Sequence, residues 1–175
     1  MEKLKVLFVC LGNICRSPMA EGVLRTWLES AGLADRVDTD SAGLHDQFRG
    51  QPPDARAQRA VQKHDIDISR HRARQIRSQD FATCDYVVAV DRETQAQLHA
   101  QCPANLHDKI GLLLDFARDS RECDVPDPYY GVQRNFDAAL ELIEQGTRGL
   151  LRHIQEHHFW AEKPNRSLPP DRGNR

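Results

Sequence analysis

The sequence has no apolar run near the roughly 20 residues that a membrane-spanning helix requires, so no such helix is expected. It has no C-x-x-C pair, and its eight histidines form no ligand set at metal-binding spacing. Neither a structural zinc site nor any other metal or cofactor is expected. It has no surplus of one charge: 24 Lys and Arg stand against 26 Asp and Glu, for a net charge of -2. That balance offers no general attraction for nucleic acid or an anionic membrane. There is no internal repeat and no interdomain linker. No signal peptide is read either, because Glu2, Lys3 and Lys5 lead straight into a short apolar run, and a cytoplasmic location is the expectation. The five cysteines are Cys10, Cys15, Cys84, Cys102 and Cys123. An odd count without a secretion signal points to free thiols.

What is present is enough chain, 175 residues, for one domain with a core. Apolar strand-like runs alternate with helical patterns, which predicts a three-layer α/β fold: a parallel sheet with helices on both faces. Strands are expected at Leu4–Val9, at a polar edge strand Val37–Ser41, at Tyr86–Val90 and at Ile110–Leu114. Helices are expected over Ser17–Ala31, from Pro52-Pro53-Asp54 to about His64, over Arg92–Gln101 behind an Asp91 cap, and over Val132–His157. Gly146 and Gly149 argue against a regular middle for that last helix. Residues 1–159 are assigned to the domain. Residues 160–175, with three prolines, much charge and almost nothing apolar, are expected to be a disordered tail.

The chain turns on Cys10-Leu11-Gly12-Asn13-Ile14-Cys15-Arg16-Ser17-Pro18, between the first strand and the first helix. Ser17 stands where an N-cap is wanted and Pro18 suits the first helical position. A loop feeding a helix N-terminus binds anions, because its unpaired N–H groups converge on one point. Five residues separate Cys10 from Arg16, a spacing that lets a tight loop wrap a tetrahedral anion while the arginine fork binds two of its oxygens. The helix end and Arg16 favour a thiolate at Cys10, and Ser17 can donate a hydrogen bond to it. Gly12 permits close backbone approach, and Asn13 tolerates a left-handed conformation. The plain alternative is a buried structural cysteine at a strand end. Far along the chain, Asp127 stands between Pro126 and Pro128 and before Tyr129 and Tyr130. A rigidly held carboxylic acid there could protonate a departing oxygen, and the tyrosines could wall an aromatic substrate. The same residues also suit an ordinary surface turn.

Taken together, these motifs resemble the low-molecular-weight protein tyrosine phosphatases over roughly residues 4 to 158. The stretch Val6 to Glu21 carries the likeness most densely. Asp40-Ser41-Ala42-Gly43, Pro52-Pro53-Asp54, His71-Arg72-Ala73-Arg74-Gln75, Asp85-Tyr86-Val87-Val88 with Asp91, and Asp127-Pro128-Tyr129-Tyr130 add to it in order. The resemblance implies a four-stranded parallel sheet with the phosphate-binding loop after strand one. It implies hydrolysis of phosphotyrosine and aryl phosphate monoesters, without a cofactor, through a phosphocysteine at Cys10. Arg16 and the backbone of Leu11, Gly12, Asn13, Ile14 and Cys15 would hold the phosphoryl group, with Asp127 as acid and then base. Asn13, Ser17, Ser41 and His71 would brace the loop. Leu11, Phe48, Tyr129 and Tyr130 would wall the cleft, and Cys15 would be the redox partner of Cys10. Phosphotyrosine proteins, a tyrosine kinase among them, are the implied partners, with the chain a monomer or weak dimer.

One position departs from the family pattern: Gln47 stands where a tryptophan is common, with Phe48 beside it. Two enzymes of the same fold compete with this reading. A protein arginine phosphatase tends to carry threonine in place of Ile14 and to lack paired tyrosines after the acid. A thiol-dependent arsenate reductase needs a further cysteine pair to relay a disulfide. The segment after Val88 lacks that cysteine, though Cys84 and Cys102 remain. A non-catalytic phosphate-binding regulatory protein would keep the loop without nucleophile or acid. The basic run Arg70, Arg72, Arg74 and Arg77 reads as a solvated face or as a dock for acidic phosphopeptides.

Overall fold

The structure, a computed structural model, describes residues 2–160. The expected tail therefore lies outside the described residues, Trp160 excepted. The described elements are β1 (Leu4–Cys10), α1 (Arg16–Ser30), β2 (Val37–Gly43), α2 (Ala55–Gln62), α3 (Ser78–Thr83), β3 (Tyr86–Ala89), α4 (Arg92–Gln101), β4 (Ile110–Leu112) and α5 (Gln133–Ile154). Short 3-10 turns cover Ala104–Lys109 and Leu113–Phe116, and a π-helical turn, Gln155–Phe159, extends α5.

The strands form one parallel sheet in the order β2-β1-β3-β4. Successive side chains of β1 point to opposite faces, and both faces are covered. Val6 and Phe8 join the core under α1, α2 and α5, whereas Leu7 and Val9 join the one under α3 and α4. A continuous apolar run, not an alternating one, is what such a strand needs. Each large side chain buried there contributes roughly 1.5–3 kcal/mol. β2 is an edge, as its Asp38 and Asp40 suggest. The connections out of β1 and β2 leave to opposite sides of β1. The loop after β1 thus lies where the strand order reverses, at the C-terminal ends of the strands.

Several boundaries differ from expectation. β4 ends at Leu112, and Leu113–Phe116 turns into a 3-10 segment resting on α5. The glycines that argued against a regular α5 explain this. A Cβ on Gly149 would lie 1.8 Å from the Phe116 carbonyl oxygen, and one on Gly146 would lie 2.6 Å from Leu113 Cγ. Backbone meets backbone at this contact, and α5 runs through it unbroken. α1 begins at Arg16, with Cys15 as its capping residue. Ser17 is therefore not the N-cap, and Pro18 is the third helical residue, still in the first turn where no N–H is missed. No helix among the described residues is long and apolar enough to cross a membrane.

Candidate active site

Cys10 is the last residue of β1, and Arg16 is the first of α1. Between them the chain must fold back within five residues. Asn13 makes the turn in the left-handed region, at φ 59°, which asparagine tolerates better than most residues. Its N–H donates to Cys10 Sγ at 3.3 Å. Ser17, freed from capping, lies with its hydroxyl 2.9 Å from the same sulfur.

The loop rests on a buried polar floor. Arg74 N–H donates to Asn13 Oδ1 at 3.0 Å. That unambiguous donor fixes the orientation of the amide. Asn13 Nδ2 then donates to Ser17 Oγ at 2.8 Å and to Ser41 Oγ at 3.0 Å. With its oxygen accepting from Asn13, the Ser17 hydroxyl proton is free to point at Cys10. His71 Nε2 faces two oxygens of Asn13, at 3.1 and 3.2 Å, so this nitrogen carries a proton. Its Nδ1 lies 3.5 Å from the buried Glu21 carboxylate. Asn13, Ser17 and Ser41 are each 0% exposed.

Arg16 is anchored from outside the loop. Its Nη1 donates to Asp91 Oδ2 at 2.6 Å and to the Val125 carbonyl at 2.8 Å, and Nη2 lies 3.6 Å from Asp127 Oδ2. Burial opposes its charge, but Cys10, Asp91 and Asp127 outweigh that and hold the guanidinium above its ordinary pKa. Asp91 has two tasks. It caps α4 by accepting from Thr94 N–H at 2.8 Å, and it orients Arg16. Burial raises its pKa, yet the bonds from Thr94 and Arg16 bring it below the usual carboxylate value. Burial pushes the Cys15 thiol well above its normal pKa, reinforced by the negative charges of Cys10, Asp54 and Asp127.

Above this floor is a cleft of about 130 Å³ lined by Cys10, Leu11, Gly12, Ile14, Cys15, Arg16, Gln47, Phe48, Asp127, Tyr129 and Tyr130. Every predicted catalytic and wall residue is among them. Asn13, Ser17, Ser41 and His71 lie beneath it, hydrogen-bonded to one another. Phe48 and Tyr129 face each other at 5.8 Å between ring centroids. Gly12 makes room for this wall, since a Cβ there would come within 2.7 Å of the Phe48 ring. Gln47 also lines the cleft, but the aromatic contact is made by its neighbour. Tyr130 stands at the rim, 95% exposed. A larger hollow of about 580 Å³ lies at the opposite, N-terminal ends of β1 and β3, away from Cys10.

Sequence reasoning missed Asp91 as a partner of Arg16, and Glu21 and Arg74 as parts of the floor. Within the basic run that the sequence offers as a solvated face or a dock for acidic phosphopeptides, Arg74 bridges Asp40 and Asp80 at 2.9 and 3.0 Å. A parallel sheet brings the C-terminal ends of β1 and β3 together, so a position two residues beyond β3 was the available signal for Asp91.

Fold and site together define an α/β protein in which a cysteine and an arginine close the loop between the first strand and a helix N-terminus. A model of the low molecular weight phosphotyrosine protein phosphatases matches residues 5–159, and the chain belongs to this family of protein-tyrosine-phosphatases. It is 40% identical over 153 residues to the low molecular weight protein-tyrosine-phosphatase YfkJ of Bacillus subtilis, covering 87% of this chain and 97% of that one. It is 36% identical to the human low molecular weight phosphotyrosine protein phosphatase, covering 83% of this chain and 92% of the relative. Among solved structures, a protein tyrosine phosphatase from Entamoeba histolytica with Hepes in its active site superposes with a TM-score of 0.85 at 33% identity, covering 88% and 98% of the two chains. YfkJ superposes with 0.84 at 39% identity, covering 90% and 98%.

Proposed function

We propose that this chain hydrolyses phosphotyrosine in proteins, and aryl phosphates generally, through a phosphocysteine at Cys10. The observation that carries the reading is that Cys10 and Arg16, from one loop, line a single cleft with Asp127, which is distant in sequence, beside the Phe48–Tyr129 ring pair. The Cys10 thiolate attacks phosphorus and the bond to the phenolic oxygen breaks. Asp127 gives its proton to that oxygen. The loop N–H groups and Arg16 hold the equatorial oxygens throughout. Water then attacks the phosphocysteine, and the Asp127 carboxylate takes its proton. The P–S bond breaks, restoring the thiolate and releasing phosphate.

The ring pair supports a phenolic leaving group over an alkyl one, and Ile14 with Tyr129 and Tyr130 supports phosphotyrosine over phosphoarginine. The test compares phosphotyrosine, phosphoarginine and phosphoserine peptides, with arsenate plus thioredoxin alongside. Preferred turnover of the phosphotyrosine peptide is expected, and a preference for phosphoarginine or arsenate would overturn the assignment.

Cys15 is the proposed resolving thiol. Peroxide converts Cys10 to a sulfenic acid, the Cys15 sulfur attacks it, water leaves and a disulfide forms. Loss of the Cys10 negative charge on oxidation removes one of the causes that keep Cys15 protonated. Peptide mapping after peroxide should find the Cys10–Cys15 crosslink; sulfinic acid at Cys10 without it would refute this role. The reading carries a cytoplasmic site of action, with phosphotyrosine proteins as partners.

A further inference from the structure

Arg56 lies in the first turn of α2 and is not among the residues lining the cleft. Its guanidinium nevertheless joins the two halves of the site. Nη1 donates to the Gly131 carbonyl at 2.8 Å, and Nη2 donates to the Tyr129 carbonyl at 3.0 Å. The same group holds the Asp54 carboxylate through Nε at 3.0 Å and Nη2 at 2.8 Å. Asp54 is tied to the phosphate loop, because its backbone N–H donates to the Ile14 carbonyl at 2.8 Å. The guanidinium also lies over the Phe136 ring, 4.4 Å from its centroid. A continuous path of bonds therefore runs from Ile14 through Asp54 and Arg56 to the backbone just after Asp127.

The other side of the acid turn is held in a matching way. Arg16 Nη1 takes the Val125 carbonyl, and Val125 N–H donates to the Val90 carbonyl at 3.0 Å. Asp127 thus sits between two arginine-held carbonyls, one two residues before it and one two residues after. Its own carboxylate accepts only a local bond from Tyr129 N–H, at 3.1 Å, beside the 3.6 Å approach of Arg16. The side chain is 39% exposed, so packing alone does not fix it.

We propose that Arg56 is the positioning residue for Asp127: by clamping the acid turn to the phosphate loop, it sets the distance between the acid and the oxygen leaving Cys10-bound phosphorus. This rests on the assignment of Asp127 as general acid under Proposed function. Arginine is needed because four acceptors on two segments must be met from one planar fork; lysine has three donors on a single atom and cannot span them.

A positioning role and a merely structural one differ in their dependence on the leaving group. A poor leaving group needs the proton, and an activated one does not. The experiment measures kcat/KM for phenyl phosphate and dinitrophenyl phosphate with wild type, Arg56→Lys, Arg56→Gln, Asp127→Asn and the Asp127→Asn/Arg56→Lys double variant. Inhibition by inorganic phosphate reports the loop itself. Arg56→Lys and Arg56→Gln should lose about 10- to 100-fold on phenyl phosphate but no more than about threefold on the dinitrophenyl ester. Phosphate inhibition should hold within about threefold, and the double variant should be no slower on phenyl phosphate than Asp127→Asn alone. Equal losses on both esters, no loss on either, or additive losses in the double variant would overturn the Arg56 proposal while leaving Asp127 as the acid. If Asp127→Asn itself treats the two esters alike, the acid assignment falls and the Arg56 proposal with it.

Discussion

Beneath the cleft, Asn13, Ser17 and Ser41 are 0% exposed, and the Asn13 side chain alone bonds to Ser17, Ser41, Arg74 and His71. Around its rim, Tyr130 is 95% exposed and Leu11 is 41% exposed. The floor is a closed hydrogen-bond network in which any deletion strands a buried partner, at about 1–3 kcal/mol for each group left unsatisfied. The wall is a set of apolar surfaces held by packing and by the turn beneath them. Under the proposed function, the chemistry falls to the loop braced by this floor and recognition of the leaving group to the wall.

The largest effect should come from the atom that floor and wall both face. Cys10→Ser is expected to remove activity on p-nitrophenyl phosphate by on the order of 10⁴-fold or more, with the thermal midpoint little changed. In the floor, Asn13→Ala should lower stability by about 2–4 kcal/mol, since several buried groups lose partners at once, and should cut kcat as well. Urea unfolding alongside kinetics checks both, and a fully stable, fully active variant would erase the distinction between floor and wall.

Asp91→Asn probes the buried anchor of Arg16 and should cost about 1–3 kcal/mol near neutral pH. The pKa of Asp91 is lowered in the folded protein, so its stabilisation is present above the ordinary carboxylate pKa of about 4 and is lost as pH falls through the folded value. The gap between wild type and variant should therefore be full at neutral pH and close in acid; urea midpoints across that range measure it, and a gap that widened in acid would contradict the pairing. The smallest effect is expected from the rim. Tyr130→Ala should raise KM for a phosphotyrosine peptide by about threefold or less, leaving kcat and the thermal midpoint unchanged.

Much of the fold and site was legible where signals are local. The run Val6–Val9 read as a buried strand, the stretch from Cys10 to Arg16 read as a loop between that strand and a helix, and Asp91 read as the cap of α4. What escaped depends on contacts made across the topology. Arg16 meets Asp91 75 positions away, and Arg56 meets Tyr129 73 positions away. No periodicity encodes either contact. Of the two readings of Ser17, the N-cap fails because α1 starts one residue earlier, whereas the hydrogen-bond contact with Cys10 is present at 2.9 Å. Gly146 and Gly149 look like helix weakeners until the segment after β4 is laid against them. At the two glycines a local preference was overruled by a neighbour distant in sequence.

In the proposed mechanism, Cys10 carries the phosphoryl group between two steps. Rapid acid quenching during turnover of a phosphorus-labelled aryl phosphate, followed by peptide mapping at a pH where phosphocysteine survives, tests it most directly. With a dinitrophenyl ester, whose departure needs no proton, the label should be found on the peptide containing Cys10 in the wild type, should accumulate when Asp127 is replaced by asparagine and water attack is slowed, and should be absent from Cys10→Ser. Label on any other residue, or turnover by Cys10→Ser at a rate near wild type, would contradict the account.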